Sequence, residues 1–165
     1  MFTSFFNRIR RNHALEHATI NLVSQHYPLA QVVGFSGPMG FTLYTSLTAE
    51  EIVPAVTQAL KRLKNGEYKL RVHENCGTNL VVTATLTTLA TLVGIGGQIS
   101  NRKRLEHLPH IVLLNVFALL AARPLGEWIQ AHVTTDANLA PVEIASIFTD
   151  YQGGMRRIRV HTRQV

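Results

Sequence analysis

A chain of 165 residues with 46% apolar side chains suits one compact domain, or a small domain joined to a membrane segment. The formal charge of +6 is gathered in four basic groups, Arg8–Arg11, Lys61–Arg71, Arg102–Arg104 and Arg156–Arg163, which suit lipid phosphates. Tyr68 is the one aromatic residue within them and no nucleic-acid-binding signature is visible, so no nucleic acid is expected as a partner, and the single cysteine, Cys76, excludes an internal disulfide framework.

Residues 12–27 predict a helix, with Asn12 as its cap, a loose apolar face from Leu15 to Val23, and Pro28 as its stop. VVGF (32–35) and FTLYT (41–45) read as short strands joined by the bend SGPMG. The glycines at 34, 37 and 40 lack a following Lys-Ser/Thr, which excludes a phosphate loop. Thr48-Ala-Glu-Glu51 is a capping box that opens a helix running to Asn65-Gly66, and EYKLRV after it predicts a strand. This order makes residues 1–77 a small α+β domain.

At residue 80 the pattern changes. LVVTATLTTLATLVGIGG, residues 80–97, carries no charge over eighteen positions, the length of a membrane span. The connector QISNRKRLEHLPH leads to IVLLNVFALLAA (111–122), which reaches a span's length if Arg123 snorkels or pairs with Glu127 one turn on. Residues 78–133 therefore predict an apolar two-helix hairpin, across a membrane with Trp128 at the interface, the alternative being a buried hairpin of a soluble core, which the five threonines of the first segment and the shortness of the second favour. In residues 134–165, PVEIASIFTDY reads as a short helix and RRIRVHTR as a basic strand or an unstructured end.

The chemistry concentrates in HALEH, residues 13–17. On a helix His13 and His17 share a face, and Glu16 lies beside them. Two imidazoles and a third donor can hold zinc, with a carboxylate outside the coordination sphere as base for a bound water. HENCGTN, residues 73–79, is the best source of the third donor, with His73 preferred and Glu74 and Cys76 as alternatives. Cys76 also admits a thiol chemistry, since a helix N-terminus would acidify it with His73 or His13 as base; a small packed residue is the stronger reading for it.

H-x-x-E-H resembles the motif of the inverted zincin metallopeptidases. That resemblance spans five residues and implies His13 and His17 as zinc ligands and Glu16 as general base. The large substrate-enclosing body of those peptidases has no counterpart in a chain this short. HALEH, the HENCGTN loop and the paired apolar helices together resemble a family of small bacterial membrane proteins of unknown function, a likeness that covers most of the chain and implies no activity.

Two functions are expected from these features. One is a membrane-associated zinc hydrolase, peptidase-like, with Glu16 as base. The other is a non-catalytic subunit or assembly factor of a larger membrane complex, with a structural histidine site. The expected setting is a bacterial inner or other energy-transducing membrane. Five basic residues from Lys61 to Arg71 precede the first span and no secretion signal is visible, so the termini are expected in the cytoplasm.

Overall fold

The computed structural model describes residues 2–96 and 106–164, and the basic connector around Arg102–Arg104 lies outside them. The chain divides into two compact units, residues 1–73 with 130–165, and residues 74–129.

The first unit is α+β. Its elements are α1 (Phe2–His26), β1 (Val32–Gly37), β2 (Gly40–Thr45), α2 (Ala49–Lys64), a 3-10 turn (Tyr68–Arg71), a π-helical turn (Gln130–Thr134), β3 (Val142–Gln152) and β4 (Met155–Gln164). All neighbouring strands are antiparallel, in the order β1-β2-β4-β3. Alternate residues of the strands, among them Phe41, Leu43, Val142, Ile158 and Val160, face one core. Leu15, Ala18, Leu22 and Val23 of α1 and Ile52, Val56, Ala59 and Leu63 of α2 close it from the other side. Glu51 Oε2 accepts the Thr48 N–H at 2.7 Å, so the expected capping box starts α2.

Three local expectations are corrected. Helix α1 begins ten residues before Asn12, so Asn12 is no cap. Buried in the helix interior, it donates to Gly37 O at 2.7 Å and accepts from Thr162 Oγ1 at 2.7 Å, tying α1 to both β1 and β4. EYKLRV is not a strand. The carbonyls of Leu70, Arg71 and Val72 are taken in succession by α1 side chains, Asn21 for the outer two and His17 for the middle one, which leaves no ladder for a neighbouring strand. PVEIASIFTDY is not a helix: it forms most of β3. Gly153 and Gly154, with φ of 61° and 79°, supply the two left-handed residues of a tight hairpin turn between β3 and β4.

The second unit is a pair of helices, α3 (Gly77–Ile95) and α4 (Leu108–Ile129). They run antiparallel: Gly94 lies against Ile111, and Gly126 against Asn79, so close that a Cβ on either glycine would clash. Thr83 and Thr87 return their hydroxyls to the carbonyls one turn back, and Asn115 bridges to Thr91 Oγ1 at 3.0 Å, which satisfies these polar groups within the pair. Arg123 pairs with Glu127 at 3.1 Å and with Glu74 at 2.6 Å, and α4 continues through Pro124. Both helices are long and apolar enough to cross a membrane, and most of their large apolar side chains, such as Leu80, Val93, Leu113 and Leu120, are exposed.

Candidate metal centre

The candidate site is built on α1, whose side chains divide between two faces. Asn12 and Glu16, one turn apart, face the sheet. His13, His17 and Asn21, at successive i+4 positions, form a second stripe that meets the segments 70–73 and 132–135.

The second stripe determines the histidine tautomers. His13 Nδ1 lies 3.0 Å from Thr134 O, and His17 Nδ1 lies 2.6 Å from Arg71 O. A carbonyl oxygen only accepts, so each Nδ1 carries the proton and donates. In the neutral ring the lone pair is then on Nε2, which is the arrangement of a metal-ligating histidine held by a backbone carbonyl. The His13 and His17 rings are 4.2 Å apart between centroids, and one potential ligand nitrogen of each lies within 4.8 Å of the other. His73 lies beside His17, its ring 5.8 Å away, and its nitrogens are not part of the set that shares the 4.8 Å spacing. Imidazoles bound to one tetrahedral ion at about 2.0–2.1 Å have centroids about 5 Å apart. The His13–His17 spacing of 4.2 Å is near that value.

The supporting segments are anchored in turn. Arg10 Nη2 donates to His132 O and Thr135 O at 3.0 and 3.1 Å, and Arg11 pairs with Asp136 at 3.1 Å. The His73 N–H donates to Gln130 Oε1 at 2.9 Å. Gln130 and Asn21 were absent from the sequence reading. Asn21 could have been found by extending the i+4 spacing of HALEH one further turn; Gln130, 57 positions from His73, carries no such signal.

Glu16 occupies a different environment from the histidines. It is buried, it accepts a short hydrogen bond from Ser36 Oγ, and it packs on Gly34 of β1 so closely that a Cβ there would stand 2.2 Å from Oε1. Burial pushes its carboxyl pKa up, against the opposing effects of Ser36 and His13. Of the two alternative donors, Glu74 is engaged by Arg123, and Cys76 caps α3, its sulfur accepting from Thr78 N at 3.4 Å.

The comparisons with known proteins place the chain in a family of unknown function and do not bear on the HALEH motif or its zincin likeness. The profile of a family described as "Domain of unknown function (DUF6391)" matches residues 8–147. An uncharacterized protein of the cyanobacterium Picosynechococcus sp. (strain PCC 7002) is 35% identical over 147 residues, which span 82% of this chain and 71% of that one. No solved structure matches.

Proposed function

Taking as premise that the chain belongs to the DUF6391 family, whose description names no activity, we propose that it is a membrane-associated zinc-binding protein. In this reading His13, His17 and His73 hold one ion, and the ion organises the fold instead of performing catalysis. The observation that supports it best is the hydrogen bonding of the rings. The Nδ1 of His13 and of His17 is committed to a backbone carbonyl, so both present Nε2 lone pairs from one helix face. Borderline nitrogen donors of this kind suit zinc. A structural role fits Glu16, whose carboxyl is engaged by Ser36 on the sheet side of α1.

Membrane association is supported by the length, hydropathy and exposure of α3 and α4. It predicts that the full-length protein sediments with membranes and is released by detergent. Recovery in the high-speed supernatant without detergent would overturn it.

The metal reading is tested by elemental analysis of the purified protein. We expect close to one zinc per chain, lost in His17→Ala; a preparation that takes up no zinc at neutral pH refutes it. Glu74→Gln and Cys76→Ser, at two donors that follow His73 in the chain, report whether the set extends beyond the histidines.

The hydrolase remains the second reading, because burial raises the pKa of the Glu16 carboxyl, which lies within electrostatic range of His13, and a raised pKa makes a carboxylate a better proton acceptor. Glu16→Gln separates the two. A structural site keeps its zinc and rescues a null strain, whereas loss of a general base typically costs about 10² to 10⁴ in rate.

A further inference from the structure

We infer that Asn21 is a positioning residue of the histidine site: it sets the tautomer of His73, so that Nε2 is the basic nitrogen of that ring as well. The inference rests on the metal-binding reading for its purpose but not for its geometry.

The amide of Asn21 has its orientation fixed by its surroundings. Its Nδ2 lies 3.0 Å from Leu70 O and 2.9 Å from Val72 O. Both are acceptors, so the atom facing them must be the donor, and turning the amide over would set an oxygen against two oxygens. Oδ1 is then left facing His73 Nδ1 at 2.9 Å. A carboxamide oxygen only accepts, so Nδ1 of His73 carries the proton and its lone pair is on Nε2. His13 and His17 reach the same tautomer through backbone carbonyls; His73 reaches it through one side chain.

Asn21 fits this role by its place on the helix. It stands one turn after His17 and two after His13, and its two donated bonds flank the one from His17 to Arg71 O. One carboxamide thus holds the 70–72 backbone and orients the ring that follows it. Leucine at this position has similar volume and can do neither.

The test is long-range ¹H–¹⁵N correlation of the imidazoles in the metal-free, full-length protein in detergent, with the His73 signals identified by their loss in His73→Gln. In the wild type His73 is expected in the Nδ1–H form. In Asn21→Leu it should shift toward the Nε2–H form, while His13 and His17 keep theirs, and zinc affinity should fall about 10- to 100-fold. Asn21→Asp retains an acceptor and should retain the Nδ1–H form of His73. An Nε2–H His73 in the wild type overturns the inference without the need of a folded variant, as does an unchanged His73 in Asn21→Leu. If the tautomers behave as stated and no variant or wild type binds zinc, the metal reading fails and the positioning role of Asn21 stands.

Discussion

Gly34→Ala tests whether Glu16 belongs to the sheet packing or to the metal chemistry. The alanine Cβ would meet Oε1 of Glu16 at 2.2 Å, Cδ at 2.6 Å and Cγ at 2.8 Å, whereas ordinary contact begins at 3.4 Å. The carboxyl must therefore retreat by more than 1 Å within a buried site, and its bond from Ser36 breaks. Overpacking costs about 1–3 kcal/mol, and a lost hydrogen bond to a buried carboxyl adds about 1–3 kcal/mol. Together these give a loss of about 2–6 kcal/mol. The assay is urea unfolding in mild detergent followed by circular dichroism, repeated in a Glu16→Ala background where the obstruction is absent. There the same substitution should cost under about 0.5 kcal/mol, since restricting the unfolded chain favours alanine. A similar cost in both backgrounds would refute the packing argument. Zinc content should be unchanged throughout, because the histidine stripe is on the other face of α1.

Other expectations follow from the same geometry. Chelation of the ion should raise amide exchange at 70–73 and 130–135, the segments held by His13, His17 and Asn21, and leave β2 and β4 unchanged; uniform exchange before and after would argue against a site that organises these segments. Asp150 is held below its ordinary value of 3.8 by Arg157, then Arg159, so its contribution exists above that value and is lost as pH falls through the lowered one. Asp150→Asn should accordingly be less stable than wild type at pH 7 and indistinguishable from it in strong acid; a difference that persists in acid contradicts the ion-pair account. In a Cys76→Ser background a cysteine at position 103 should react only from the non-cytoplasmic side, and labelling from the cytoplasm would reverse the orientation.

The legible parts of this fold are those where one short stretch determines its own structure. HALEH declares a helix face, Thr48 with Glu51 declares a helix start, and the uncharged run from residue 80 declares a span-length helix. The illegible parts are those decided by a distant partner. EYKLRV alternates like a strand, yet its carbonyls are claimed by α1 side chains some fifty positions earlier in the chain. Asn12 has the identity of a cap and is used as a cross-link between β1 and β4. The β3 segment is the exception, for its signal is local: two glycines between β-branched and aromatic runs are a hairpin pattern, which outweighs the helix expected for PVEIASIFTDY.

His73 makes the same point from the side of the site. Its residue type and its place after an expected strand made it a candidate donor, and the strand was wrong. What brings its ring to within 5.8 Å of His17 is a 3-10 turn pinned to α1 by Asn21 and His17, and a backbone N–H held by Gln130. The candidate donors could be named from composition and spacing. Their tautomers could not, because a tautomer is determined by the acceptor across from Nδ1, and the acceptors are Thr134 O, Arg71 O and Asn21 Oδ1. Two of these lie in the segments that leave and rejoin the first unit on either side of residues 74–129. An ion bound by Nε2 of the three rings would join α1 to the segment that carries His73 and fix the His13 ring that holds Thr134 O, which is a structural reason for the site to be built on histidines at these positions whether or not it performs a reaction.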